Sequence, residues 1–150
     1  MNAPALDGYE ISTDPARLDA GLVHHWLSTD AYWAVGRPRE LHNRAVAGSL
    51  NFGLYVSGSG RQVGYARLVT DHATFAWLCD VYICRDDRGK GLGTALVEAV
   101  ADHMAPSGLN RLTLATQDAH GVYEKIGFRP LVAPEQWMTL GLIDPGPVEM

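Results

Sequence analysis

Cysteine is scarce in this chain: two in 150 residues, Cys79 and Cys84. They fall an odd number of residues apart in one predicted strand, so they point to opposite faces and cannot bridge each other. Neither sits in a Cys-x-x-Cys or Cys/His cluster, so no metal is implied. Long apolar runs are missing as well. None approaches the length that spans a bilayer, and no charged start followed by an apolar run marks a signal peptide, so a cytoplasmic location is expected. Positive charge is also in short supply, the balance being −5 at neutral pH. That argues against nucleic acid as the main partner and fits a cationic or neutral small molecule.

What the chain does have is apolar content of 47% over 150 residues, enough for one domain with its own core. Tyr9 to Ser12 reads as a short first strand. Asp14-Pro15 reads as a helix start, Asp as N-cap and Pro in the first turn, with Leu18, Leu22, His25 and Trp26 on one face. Of His24 and His25, one is expected buried and the other exposed. After a loop over Ser28 to Arg37, Pro38 opens a second helix to about Ala47, with Leu41 and Ala45 inward. Leu50 to Val56 and Gln62 to Val69 read as a strand pair around Ser57-Gly58-Ser59-Gly60, and Phe75 to Cys84 as the next strand. Leu92, Ala95, Leu96, Ala99 and Val100 form the stripe of a third helix. Arg111 to Thr116 is a strand, and Ala119, Val122, Tyr123 and Ile126 form a helical face closed by Gly127. Trp137 to Leu142 is expected as a last strand, and the residues from about 143 as a loose tail. With no repeat, low-complexity block or linker, the order β-α-α-β-β-β-α-β-α-β describes a single domain over 1–150 with a mixed, mainly antiparallel sheet.

One segment carries chemistry: Arg85-Asp86-Asp87-Arg88-Gly89-Lys90-Gly91-Leu92-Gly93-Thr94-Ala95. A glycine-rich turn between a strand and a helix leaves N–H groups free at the positive end of the helix dipole, an arrangement that receives phosphate. Glycine lets the backbone approach the anion. A Walker A loop is rejected, because Cys84 and Gly91 stand where it needs Gly and Ser/Thr. The dinucleotide fingerprint fails too: Leu96 replaces its third small residue, and Leu112 stands where an acid is needed.

What remains is Arg/Gln-x-x-Gly-x-Gly/Ala, filled by Arg88, Gly91 and Gly93. It resembles the acyl-CoA pyrophosphate loop of the GNAT family of N-acetyltransferases. Some thirty residues on, Ala119-His120-Gly121-Val122-Tyr123-Glu124-Lys125-Ile126-Gly127-Phe128 resembles that family's later helix and its Tyr-x-x-x-Gly-Phe ending. The two motifs in this order are far more specific than either alone. The resemblance implies an α/β (α+β) fold, a central sheet of about six or seven strands flanked by about four helices. It implies direct transfer of acetyl from acetyl-CoA to a primary amine of a small molecule or peptide, without a metal. A non-catalytic acyl-CoA-binding module of the same fold is the alternative. Modification of an RNA-bound amine is weakened by the acidic balance. Homodimers are frequent in the family, though no interface can be read from this sequence.

By the same resemblance, the strand ending at Cys84 splays from its neighbour at a bulge. The pantetheine arm pairs with main chain around Val81 and Ile83, and an N–H at Val81 or Tyr82 polarises the acetyl carbonyl. Arg88, Gly89, Lys90, Gly91, Leu92, Gly93 and Thr94 hold the pyrophosphate, and Tyr123 is the general acid for the departing thiolate. Thr116 replaces a commonly found Asn, and Cys79 replaces a Glu found before Asp in polyamine-type members. Asp80 is then a base working through water, an anchor for a cationic acceptor, or a structural carboxylate. His120 and water are the other candidates for base. For the acceptor, adjacent aromatics Tyr32-Trp33 followed by Arg37 form either a pocket wall or a lid on the core. As a wall they suit an apolar or aromatic amine, with Arg37 suited to a carboxylate.

Overall fold

Leu50 to Val56 alternates large side chains about a central glycine, and the Ser/Gly-rich turn after it returns the chain on itself. In the computed structural model, which describes residues 6–142, this becomes the centre of a sheet. The strands are β1 (Tyr9–Ser12), β2 (Leu50–Val56), β3 (Gln62–Thr70), β4 (Ala76–Ile83) and β5 (Thr113–Leu114), in the spatial order of the sequence. All neighbours are antiparallel except β4 and β5, which run parallel. The chain divides into two compact units, Met1–Ala115 and Thr116–Met150.

In the first unit, helices cover both faces of the sheet, because β3 and β4 are apolar on both sides. On one face Val23, Trp26 and Leu27 of α1 (Ala20–Asp30) pack with Tyr65 and Tyr82. On the other, Leu92 of α3 (Leu92–Met104) joins Leu54 and Val63, with Ile83 alongside. Tyr82 and Ile83 are consecutive, so pleating sends them to opposite layers. The expected stripe of α3 is buried throughout. No helix among the described residues is long and apolar enough to cross a membrane.

Two helices differ from expectation. Asp14-Pro15 starts only a 3-10 turn, Pro15–Arg17, capped by the Asp14 carboxylate on the Ala16 N–H at 2.9 Å. The true start of α1 is Asp19, whose carboxylate accepts from the Leu22 N–H at 3.0 Å. Two acidic caps five residues apart compete, and the one that leaves Val23, Trp26 and Leu27 facing the sheet wins. In α2 (Arg39–Ala47) Leu41 is exposed, Ala45 half-buried and His42 buried, so the inward face is turned by about one residue from the expected one. His42 turns inward to meet His24 of α1, ring centroids 5.3 Å apart. His24 is half-buried and His25 exposed, so His25 leaves the face that helical spacing gave it with Leu22 and Trp26.

The second unit holds α4 (His120–Ile126), which ends in a Schellman cap. Gly127 has φ +118, and its N–H donates to the Glu124 carbonyl at 3.1 Å. The Phe128 N–H donates to the Tyr123 carbonyl at 3.1 Å, and the two rings meet edge-on at 5.6 Å. Thr116 caps the approach to α4, its hydroxyl accepting from the Ala119 N–H at 3.1 Å. The expected last strand is a correction. Trp137–Leu142 joins no ladder among the described residues, and Met138, Leu140 and Leu142 stand exposed. Five strands are therefore found where six or seven were expected. Alternation marks an extended chain, but a strand also needs a neighbouring backbone. The expected tail from 143 lies outside the described residues.

Candidate active site

β4 carries an interruption at its middle. Tyr65 pairs with Tyr82 and Arg67 with Cys79, so Asp80 and Val81 together oppose the single residue Ala66. That is a β-bulge, and Asp80 takes φ +54, a left-handed conformation uncommon outside glycine. On the other side of β4, pairing to β5 covers only Trp77 and Leu78. From Cys79 to Ile83 this edge has no partner strand among the described residues, so the main chain there offers donors and acceptors to an extended ligand.

Beyond Ile83 a 3-10 turn, Arg85–Asp87, leads into the glycine loop. Gly89 and Gly91 have φ +81 and +76, which a side chain at either position would oppose. A Cβ there would touch nothing within 4 Å, so it is backbone shape and not crowding within the protein that calls for glycine. Gly91 is the N-cap of α3, no side chain caps the helix, and its first intrahelical bond runs from the Ala95 N–H to the Gly91 carbonyl. The N–H groups of Leu92, Gly93 and Thr94 thus lie at an uncapped helix start.

The cationic side chains of this loop are already engaged. Arg85 makes a bidentate pair with Asp30 at the end of α1, its Nε donating at 2.9 Å. Arg88 donates from Nε to the Ile83 carbonyl at 2.8 Å, lies 5.0 Å over the Tyr82 ring, and reaches Asp30 at 3.4 Å. The Tyr82 hydroxyl donates to Asp30 at 2.6 Å, and its ring stacks on Trp26. The Arg85 hydrogen bond, then that of Tyr82, holds the Asp30 carboxyl well below the usual carboxylate range. Lys90 donates to the Tyr9 hydroxyl at 3.2 Å and pairs with Asp87 at 3.6 Å. An anion arriving here meets main-chain N–H groups first.

At the bulge, charge is arranged differently. The Asp80 carboxylate, 3% exposed, accepts from the Trp33 indole at 2.7 Å and from Arg37 Nη1 and Nη2 at 2.8 and 3.2 Å. Arg67 of β3 donates to it from Nε at 2.8 Å and to Ser49 Oγ at 3.1 Å from Nη1. Burial alone would raise the Asp80 carboxyl, but the hydrogen bonds and charges of Arg37 and Arg67 overcome it and hold the group below its ordinary value. Four donors fill the roughly four lone-pair sites of a carboxylate. Such a group has neither the lone pair nor the basicity to take a proton, so the geometry favours the structural reading of Asp80. It also disfavours a cationic acceptor there, since two guanidiniums already occupy the carboxylate.

Trp33, Arg37 and Asp80, read from the sequence as separate roles, therefore meet on one carboxylate. The rings of Trp33 and Tyr32 stand nearly perpendicular, with centroids 5.1 Å apart. The Arg37 carbonyl lies 2.7 Å from His24 Nε2, which ties the loop to α1. Sequence reading missed Arg67, His42 and Asp30. A signal for Arg67 existed: it shares a strand face with Tyr65 two residues earlier, a charge on an otherwise packed side. Asp30 gave none, because its partners lie more than fifty residues away.

The acetyltransferase (GNAT) family profile matches residues 20–128. This chain belongs to the GNAT family of acetyltransferases. A presumed acetyltransferase of Gibberella zeae is 32% identical over 135 residues, covering 78% of this chain and 76% of its own. Among solved structures, a presumed GNAT acetyltransferase of Xanthomonas campestris pv. campestris is 44% identical, with TM-score 0.84 over 95% of this chain and 97% of its own. N-acetylglutamate synthase of Neisseria gonorrhoeae, solved with coenzyme A and N-acetyl-glutamate, shares the fold at 16% identity and TM-score 0.63, over 85% of this chain and 30% of its own. Against the GNAT pattern, the glycine loop and the bulge both have the expected local form. Tyr123 keeps its motif, and the Schellman cap explains the Gly-Phe that follows it.

Proposed function

We propose that this GNAT protein transfers acetyl from acetyl-CoA directly to a primary amine of a small molecule or peptide. The observation that carries the reading is the continuity of three features along one stretch of chain. The bulge at Asp80–Val81, the unpaired edge of β4 and the uncapped glycine loop follow one another without interruption. An extended thioester with a pyrophosphate at its far end fits that sequence of donors. The residues present suit the ligand: glycines of positive φ, free helix-start N–H groups and a pairing edge of the right polarity.

Main chain at Val81 or Tyr82 donates to the acetyl carbonyl oxygen, and a fixed donor of this kind supplies about 3 kcal/mol to a transition state. The amine nitrogen attacks the carbonyl carbon, so a C–N bond forms and the C–S bond breaks. Tyr123, by its place in the motif, gives a proton to the departing thiolate. The proton lost by the amine goes to solvent, because Asp80 is fully occupied by its four donors. That same occupation is the one observation favouring a non-catalytic acyl-CoA-binding module.

Thermal unfolding with acetyl-CoA, against NADH and ATP as controls, tests binding. Ligand at about a hundred times its dissociation constant stabilises a fold by roughly 2.7 kcal/mol. Thiol release over an amine panel then separates enzyme from binder. Stabilisation by acetyl-CoA alone with amine-dependent thiol release is the expected result. Stabilisation without release would support the binding module, and no stabilisation would remove both readings.

A further inference from the structure

The cluster around Asp80 does not balance its charge. Two guanidiniums, with side chains only 15% and 11% exposed for Arg37 and Arg67, face one carboxylate. No second acid pairs with either arginine among the described residues. One positive charge is left largely out of water, a costly state unless something neutralises it. Nor are the donors used up: Arg37 Nε and Arg67 Nη2 have no acceptor among the described residues, although Asp80 itself is saturated.

The surroundings add no negative charge. His42 is 1% exposed with neither ring nitrogen hydrogen-bonded, and burial pushes its imidazole down to about 4, so it is neutral near pH 7. It lies within electrostatic reach of both Arg37 and Asp80, and a neutral imidazole brings one more N–H to an incoming acceptor. Tyr65 is spent on Asn51, and Ser49 on Arg67 and the Ala45 carbonyl. A buried positive site with unused donors is therefore built from three separate elements.

We propose that Arg37 and Arg67 recognise a carboxylate on the acceptor, so that the substrate class is a small amino acid-like molecule and not a polyamine. This rests on the acetyltransferase reading above and narrows it. One uncompensated charge matches one carboxylate, whereas a phosphate would bring nearly two. The position is also informative. Asp80 directly precedes Val81, the expected donor to the acetyl carbonyl, and consecutive Cα atoms are about 3.8 Å apart. A carboxylate held beside Asp80 and an amine attacking beside Val81 are thus a few bonds apart in one molecule. Tyr32 and Trp33 beside the arginines add an aromatic wall for the side chain of that acceptor.

Two measurements on the full-length protein test this. The first compares kcat/KM, by thiol release from acetyl-CoA, for matched pairs such as tyrosine and tyramine or phenylalanine and phenylalaninamide. The carboxylate-bearing partner is expected to win by roughly a hundredfold or more, since a site built for a polar group rejects analogues lacking it. In Arg37→Met that preference should collapse, chiefly through KM. Equal or better turnover of the partners lacking a carboxylate would overturn the proposal while leaving the acetyltransferase reading intact. The second follows the Arg37 and Arg67 Nε–H resonances by NMR as N-acetyl-tyrosine or its amide is added, which requires no turnover. Shifts with the acid alone support the anion site even if no amine is acetylated, an outcome that would sink only the transferase reading. Equal shifts with the amide, or none with either, overturn the site.

Discussion

The two ends of the candidate site use arginine in opposite ways. At the glycine loop, Arg85 and Arg88 share Asp30, and Lys90 and Arg61 share Asp87, but these cations are 45–71% exposed, so water screens the surplus charge. In the proposed reading, binding there falls to backbone N–H groups whose position the glycines fix. At the bulge, Arg37 and Arg67 share a single carboxylate inside the protein, and positive charge is left over. The first arrangement suits a ligand whose phosphates are the same in every turnover. The second, as proposed, would make side-chain charge the discriminating element. Motif residues at the loop hold shape, while under the proposal residues outside any motif at the bulge select the acceptor.

The largest effect should come from breaking the buried cluster. Asp80→Ala leaves two guanidiniums without their anion, and loss of one partner of a buried pair costs about 3–5 kcal/mol. Urea unfolding should show that loss, or failure to fold at all. A change under 1 kcal/mol would mean that water reaches the cluster freely.

Tyr123→Phe should come next, with turnover lowered by about 10²–10⁴ and acetyl-CoA affinity nearly unchanged. Steady-state kinetics beside a binding titration checks it. Activity that survives the change would remove the general-acid role.

Acidification should sharpen the contrast between the two regions. His42 binds its proton at about 4 when folded and near 6.5 when unfolded, so the unfolded chain takes up more protons between those values. Its contribution is complete above pH 6.5 and is lost as pH falls from there to about 4. Asp80, held below its ordinary value, adds a further loss only below about 3.9. Stability of His42→Phe should be flatter than wild type between pH 6.5 and 4, read from unfolding midpoints across that range. Equal slopes would mean that His42 does not carry the effect.

The smallest effect belongs to the loop's own side chains. Arg85→Ala removes a pair whose guanidinium is mostly exposed, and such pairs are worth about 0–1 kcal/mol. The unfolding midpoint should barely move.

Where side-chain pattern and backbone demand coincide, the sequence was enough. The limits of β2, the stripe of α3 and the left-handed cap at Gly127 follow from alternation, helical spacing and glycine. The glycine loop and the bulge came from motif resemblance, and the loop's geometry then gave that resemblance a physical basis. Asp14 and Asp19 are equally good caps locally, and only packing chooses between them. Leu41 looked like the inward residue of α2 because hydrophobicity was weighed without the neighbouring helix, which brings His24 to meet His42. Arg67, Asp30 and the saturation of Asp80 depend on residues far apart in the chain. Charge balance at the bulge could be counted only after the fold had assembled it.

In the proposed reading the glycine loop binds acetyl-CoA through its main chain. Acetyl-CoA titrated calorimetrically into wild type, Gly91→Ala and the double variant Arg85→Ala/Lys90→Ala tests it most directly. Affinity should fall by more than tenfold in Gly91→Ala, whose folded backbone prefers φ +76, and by only a few-fold in the double variant. The reverse order, with the glycine variant binding normally and the double variant failing, would contradict it.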